Sequence, residues 1–359
     1  MEDISLKITR FIPQVVFGEN SFNDLNAFID QAFPNKDPYT VYVIDSVHRD
    51  TGLFKRLAPG ARDLVIEFNA SDHEPKTSDV DRVRDNILAE KKGALPRVIV
   101  GIGGGATIDV AKAVSVMLTN PGSSADYQGW DLPKHPSVPK VGVPTLAGTG
   151  AEATRTAVLS GPVRKLGINS DYSICNAALL DPALLATVPA DQEFYTGMDN
   201  FIHCVEASNG SAMNDMGRPF AIQAKIATEN FFLKEKNYGE FMVGSFLGGC
   251  SIANSSVGIC HALSYGIAFI RDYRHGIANS IVFNHLEEFY GADVIKFRQM
   301  MDKHKIELPV GVTKGLTTEQ LNKMVELAYM LEKDLISALG PDFKKILTPD
   351  KILSIYEKM

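Results

Sequence analysis

The chain has no excess of basic residues: 36 lysines and arginines stand against 43 aspartates and glutamates, a formal net charge of -7. With no local basic block either, nothing draws it to nucleic acid or anionic lipid, and neither is expected as a partner. No apolar stretch approaches the ~18 residues that a membrane span requires, and the opening Met-Glu-Asp-Ile-Ser-Leu-Lys lacks the basic and apolar segments of an export signal. A cytoplasmic protein is the expectation. Cysteine is scarce and scattered. Cys175, Cys204, Cys250 and Cys260 form no C-x-x-C pair, which argues against a disulfide framework or a structural zinc knuckle and for buried thiols. Internal repeats, low-complexity tracts and long linkers are missing too.

What remains is an ordinary globular composition, 45% hydrophobic and 22% charged over 359 residues, long enough for two domains with cores of their own. The first half alternates short apolar runs with amphipathic stretches, the pattern of an α/β domain. Strands are predicted at 40–45, 63–68, 97–101 and 140–143, with further strand signals at 155–159 and 175–180. Helices are predicted near 79–91 and 107–119. From about residue 186 the pattern is helical: roughly 190–210, 215–235, 241–257, 259–270, 277–290, 317–338 and 349–357. The expected organisation is therefore an α/β domain over 1–185 and an all-α domain over 186–359.

Chemistry concentrates in a few places. Gly103-Gly104-Gly105 lies directly between a strand and a helix. Missing side chains there let backbone approach a phosphate, and the helix N-terminus supplies unpaired N–H groups. Asp45 ends an apolar run, where a carboxylate can take the hydroxyls of an adenosine ribose or simply cap a helix. Past residue 186, Asp199 and His203 stand four apart on a predicted helix and so share a face, as a metal pair or as a mere i,i+4 contact. His261 and His275 follow in apolar or glycine-bounded segments. One carboxylate and three neutral imidazoles make a ligand set for Fe2+ or Zn2+ that can leave a position open for substrate. Cys204 and Cys260 adjoin two of these histidines, but on a helix a neighbouring side chain points ~100° away.

Taken in order, Gly103-Gly104-Gly105 with Asp109 and Lys112, Pro144-Thr145, Gly148-Thr149-Gly150, Asp181-Pro182, Gly197-Met198-Asp199 with His203, His261, and His275-Gly276 resemble the iron-containing (group III) alcohol dehydrogenases. The resemblance covers nearly the whole chain. It implies a dinucleotide-binding α/β domain followed by a helical metal-binding domain, the architecture shared with dehydroquinate synthase. It implies Asp199, His203, His261 and His275 as metal ligands, and Asp45 and Gly103 to Gly105 as contacts of NAD or NADP. Thr145, Thr149 and Lys165 fall at the ribose and nicotinamide side, and a homodimer is the implied assembly. Three positions depart from the family. Tyr265 stands where many members carry a second histidine thought to move the substrate proton, and a phenol of pKa ~10 is a poor base at neutral pH. Ala106 and Leu146 replace a serine and a threonine, removing hydroxyls from the cofactor side.

These departures and Lys165-Leu-Gly-Ile-Asn-Ser-Asp-Tyr resemble most the branch that oxidises the C8 hydroxyl of 3-deoxy-manno-octulosonate to an aldehyde, in lipopolysaccharide sugar biosynthesis. Arg271, Arg274 and Lys165 are candidate partners for a substrate carboxylate, or solvated surface charges. The expectation is a metal-dependent oxidoreductase acting on a primary alcohol. A general NAD(P)-dependent alcohol or aldehyde dehydrogenase, a lyase of the dehydroquinate synthase type and a non-catalytic metal- or nucleotide-binding protein are the alternatives. Net reduction of free NAD separates dehydrogenase from lyase.

Overall fold

The computed structural model describes residues 8–35, 38–70 and 74–359; Met1 to Lys7, read above for an export signal, lie outside them. The chain runs β1 (Gln14–Phe17), α1 (Leu25–Ala32), β2 (Thr40–Asp45), α2 (Leu53–Leu57), β3 (Leu64–Phe68), α3 (Thr77–Glu90), β4 (Val98–Gly103), α4 (Gly105–Met117), β5 (Gly129–Trp130), β6 (Lys140–Pro144), β7 (Thr156–Ser160), β8 (Lys165–Asn169) and β9 (Ala177–Leu180). Helices follow: α5 (Ala190–Asn209), α6 (Arg218–Leu233), α7 (Tyr238–Ala253), α8 (Ile259–Arg271), α9 (His275–Phe283), α10 (Glu287–Tyr290), α11 (Ala292–His304), α12 (Thr318–Tyr329), α13 (Glu332–Leu339), α14 (Phe343–Ile346) and α15 (Pro349–Tyr356).

Six strands form a parallel sheet in the order β1-β9-β6-β4-β2-β3, and β5-β8-β7 make a second, mixed sheet. Strands β2, β4, β6 and β9 are buried along their whole length, as the central strands of a parallel sheet covered on both faces must be. Because β2 and β4 are neighbours, with Ile44 opposite Ile102, the carboxyl ends carrying Asp45 and Gly103 lie side by side. That end of an open parallel sheet is where ligands bind.

The helical part packs onto the sheet through the segment after β6. Gly148, at φ +139, has no room for a Cβ, which would lie 1.9 Å from the Thr196 carbonyl oxygen of α5. Its N–H donates to Ser245 Oγ of α7 at 2.5 Å. Gly150, at φ +57, lies against Gly249 of α7, where a Cβ would be 2.5 Å from its nitrogen, so both sites exclude a side chain by contact as well as by dihedral angle. These two approaches seat α5, and with it Asp199, against the sheet.

Several elements differ from the sequence expectation, among them β1, α1, α2, β5 and α14, which it did not include. The 277–290 and 317–338 helices each break, into α9 with α10 and α12 with α13. In the second case the i→i+3 bonds of Met330 to Leu327 and Leu331 to Ala328 tighten the last turn without glycine or proline. Helix α11 escaped notice because only Val294, Phe297 and Met300 of its thirteen residues are buried. Strand β8 was read only as a motif, and with its partners it makes the second sheet. No described helix is long and apolar enough to cross a membrane.

Candidate active site

Between the sheet's carboxyl edge and the helices lies a cavity of about 770 Å³, within the range of small-molecule sites. Asp45, Gly104, Gly105, Thr145, Thr149 and Lys165 line one side of it, and Asp199, His203, His261, Tyr265 and His275 the other. Gly103 is absent from the lining. An added Cβ there would sit 2.7 Å from Thr107 and 3.1 Å from the Asp45 Cβ, so this glycine serves the turn's packing rather than the cavity. Gly104 and Gly105 do face the cavity, and each also lies under the 145–150 segment, a Cβ meeting Leu146 Cδ1 or Thr149 at 2.8 Å.

Asp45 does both of the things its position allowed. It accepts from Val47 N–H at 3.2 Å as the cap of a short 3-10 turn, and it still borders the cavity. Thr145 Oγ1 is 2.9 Å from His48 Nε2, a residue the sequence reading passed over, whose imidazole burial keeps below its usual pKa. Lys165 is paired with Glu74 at 3.0 Å, and Glu74 also accepts the backbone N–H of His275 at 2.8 Å. Arg274 lines the cavity with a bond to Gln192, whereas Arg271 turns away to the carbonyls of Val312 and Lys314.

One ligand atom from each of Asp199, His203, His261 and His275 lies within 4.8 Å of the others. Helix α5 supplies the first two one turn apart, α8 supplies His261 and the first residue of α9 supplies His275. Asp199 Oδ1 is 3.8, 3.5 and 3.6 Å from the Nε2 atoms of His203, His261 and His275. Tetrahedral bonds of ~2.0–2.1 Å place ligand atoms ~3.4 Å apart, so the spacing suits a Zn2+- or Fe2+-sized ion once the Asn279 amide, which contacts three of the four atoms, gives way. Protonation states fit as well. Burial opposes the Asp199 charge, but the three imidazoles outweigh it and hold the carboxyl far below its usual range. Burial keeps His203 low and His275 down at about 3, so both are neutral donors, whereas Glu206 and Asp199 outweigh burial at His261 and raise it to about 9, so an ion bound there would displace a proton from it.

Two residues that sequence reasoning missed complete the arrangement. Glu206, two turns beyond Asp199, is buried and accepts four donors: Gly258 N at 2.8 Å, Cys260 N at 2.6 Å, Tyr290 OH at 3.0 Å and His261 Nδ1 at 2.5 Å. An Nδ1–H held this way turns Nε2 of His261 toward Asp199, where it would be the donor to an ion once its own proton has left. Its seven-residue spacing from Asp199 was the available signal. Asn279 donates to Asp199 Oδ1 at 2.7 Å, its buried amide lying 3.1 and 3.2 Å from the Nε2 atoms of His261 and His275. Tyr265 sits beside His275, ring centroids 5.8 Å apart. All four cysteines are buried free thiols, and Cys204 stays out of the cluster.

Residues 13–182 match the model of iron-containing alcohol dehydrogenase, and residues 193–335 match that of the C-terminal part of the Fe-containing alcohol dehydrogenase family. An NAD-dependent methanol dehydrogenase of Bacillus methanolicus is 29% identical over 292 residues, covering 78% of this chain and 75% of that protein. Among solved structures, a 1,3-propanediol oxidoreductase superposes with a TM-score of 0.81 at 21% identity, over 98% of this chain and 99% of its own. A sulfoacetaldehyde reductase from Bifidobacterium kashiwanohense in complex with NAD+ superposes with a TM-score of 0.77 at 20% identity, over 98% of both chains. These two likenesses show the fold, while the two matched models span most of the sequence. The chain belongs to the iron-containing alcohol dehydrogenase family, and is thereby a metal- and nicotinamide-dependent alcohol oxidoreductase.

Proposed function

We propose that Asp199, His203, His261 and His275 hold one divalent ion, Fe2+ or Zn2+, beside an NAD or NADP site formed by Asp45, Gly104, Gly105, Thr145, Thr149 and Lys165. The observation that carries this is the convergence of four ligand atoms on the wall of the cavity that the glycine loop also borders. An ion held there would supply Lewis acidity at an alcohol oxygen, and a bound nicotinamide would be the hydride acceptor. The chain's own groups do the rest. Glu206 and Asn279 fix the donor atoms, the glycine turn leaves room for phosphate, and Tyr265 orients the substrate with its hydroxyl.

The substrate is a primary alcohol on a polar, acidic carbon chain, and the specific reading is the C8 hydroxyl of 3-deoxy-manno-octulosonate. The polar lining beyond the metal ligands supports it: Arg155, Asn169, Asn254 and Ser256 border the cavity, held in place by Asp131 and Asp171, Thr156, Arg10 and Asp334 respectively. The protein acts as a cytoplasmic homodimer. In support of pairing, β1 is an edge strand that leaves Val15 and Phe17 37% and 52% exposed, an apolar edge of the kind proteins cover. The test is to load the protein with metal and offer alcohols and sugar acids, following nicotinamide absorbance and oxygen consumption together. Net nicotinamide reduction is the expected result. Turnover with neither signal would make the protein a lyase, and bound metal without turnover a binding protein.

A further inference from the structure

We propose that Asp334, a residue outside the metal cluster, is the base that finally accepts the proton of the alcohol, a role that Tyr265 cannot fill. The proposal rests on the cavity being the place of alcohol oxidation. Asp334 stands in the first turn of α13, just past the break at Met330 and Leu331, and lines the cavity together with Ser256, His261, Tyr265 and His275. Only 6% of it is exposed, and among the described residues its side-chain partner is the Ser256 hydroxyl, which donates to Oδ1. No lysine or arginine among the described residues pairs with it. Lys333, its neighbour on α13, is turned onto the Trp130 ring 5.0 Å away. A buried carboxylate held by one hydroxyl and no cation costs stability, and in a cavity wall that marks a working group more than a structural one.

The groups acting on Asp334 come from three sides. Burial raises its pKa, the Ser256 hydrogen bond lowers it, the Glu206 charge on α5 raises it and His261 on α8 lowers it, leaving it at about 6. It is therefore ionised at neutral pH and near enough to neutrality to hold a proton in passing. Tyr265 is in the opposite condition. Burial, then the charge of Asp334 and next that of Asp199, push its phenol far above its ordinary value, so the hydroxyl keeps its proton. The phenol, beside His275 with ring centroids 5.8 Å apart, and this carboxylate border the same cavity.

The O–H bond of the alcohol breaks, and its proton passes to Asp334, directly or through one water, and then to solvent. The carbinol C–H bond breaks with its electron pair, which goes to the oxidised nicotinamide, leaving the aldehyde.

The experiment compares D334N, Y265F and native protein, all metal-loaded, oxidising 3-deoxy-manno-octulosonate and 1,3-propanediol with NAD across pH 5 to 9. Metal content and NAD affinity are measured alongside. We expect D334N to keep both but to lose about 100-fold or more in kcat, together with the acid limb that native kcat/KM shows near pH 6. Y265F should stay within about tenfold of native kcat. Turnover of D334N within threefold of native, or an acid limb that survives in it, overturns the proposal. Should D334N not fold, S256A serves: removing the donor that stabilises the anion moves the acid limb to higher pH, and an unmoved limb overturns the proposal equally. Difference infrared spectra need no substrate. Buried Asp109 and Glu152 also titrate in this range, at about 6 and about 7, so the supporting result is a protonated-carboxyl band that native protein loses between pH 5 and 8 and that is missing from D334N beside theirs, and identical spectra are the refuting one. Native protein that holds metal yet oxidises neither alcohol sinks the activity itself, an outcome distinct from an active native enzyme with an equally active D334N.

Discussion

Replacing Glu206 by Gln keeps its volume and changes two atoms' worth of hydrogen bonding, which makes it a clean probe of how His261 is held. Each carboxylate oxygen now serves two donors: Oε2 takes Gly258 N–H and His261 Nδ1–H, and Oε1 takes Cys260 N–H and Tyr290 OH. The amide can accept at one of these positions only. With the NH2 on the Tyr290 side, the phenol can rotate to accept, but Cys260 N–H loses its partner inside the core, at about 1–3 kcal/mol. With the NH2 on the other side, His261 is driven to the opposite tautomer, which puts a proton on the nitrogen that faces Asp199. Either arrangement weakens the site, and the first also trades a charge-assisted bond to Nδ1 for a neutral one. We expect Zn2+ or Fe2+ affinity to fall about 10- to 100-fold, the usual effect of losing such an outer partner. Thermal stability of the metal-free protein should fall with it. Competition against a chelator of known affinity measures the first and circular dichroism the second. A folded E206Q that binds metal as tightly as native would refute the reasoning, because Glu206 would then only fill space.

Further tests address the rest of the site. Replacing His203 or His261 by Ala should abolish stoichiometric metal binding, read by elemental analysis after dialysis; unchanged metal in both variants would remove the cluster from consideration. Gly104→Val should weaken nicotinamide nucleotide binding about tenfold or more, since the new side chain must displace Leu146 at the cavity wall, and calorimetric titration with an unaltered Kd would return the loop to plain turn chemistry. Tyr265→Phe should weaken substrate binding by roughly 1 kcal/mol, one hydrogen bond, and show mainly in KM. A fall in kcat of about 10³-fold with KM unchanged would make the hydroxyl an obligatory relay.

Local periodicity made much of this protein legible. Alternating apolar runs mark β2, β4 and β6 because a strand buried on both faces can hardly be anything else, and the four-residue spacing of Asp199 and His203 fixes them one above the other on any helix. Glycine triplets and helix starts are local too. What the sequence could not hold is distance between segments. The acidic residue at the usual interval after the glycine loop, Asp126, lies in a 3-10 turn outside the cavity lining, whereas Asp45 lies beside the loop, because the strand order makes β2 and β4 neighbours although about 60 residues separate their ends. His261 and His275 come from α8 and α9, and nothing short of the packed helices sets their nitrogens within 3.6 Å of the Asp199 carboxylate. Glu206, Asn279 and Asp334 were unremarkable letters. Their significance is a matter of burial and of which donors converge on them, and those are properties of the packed interior rather than of the chain.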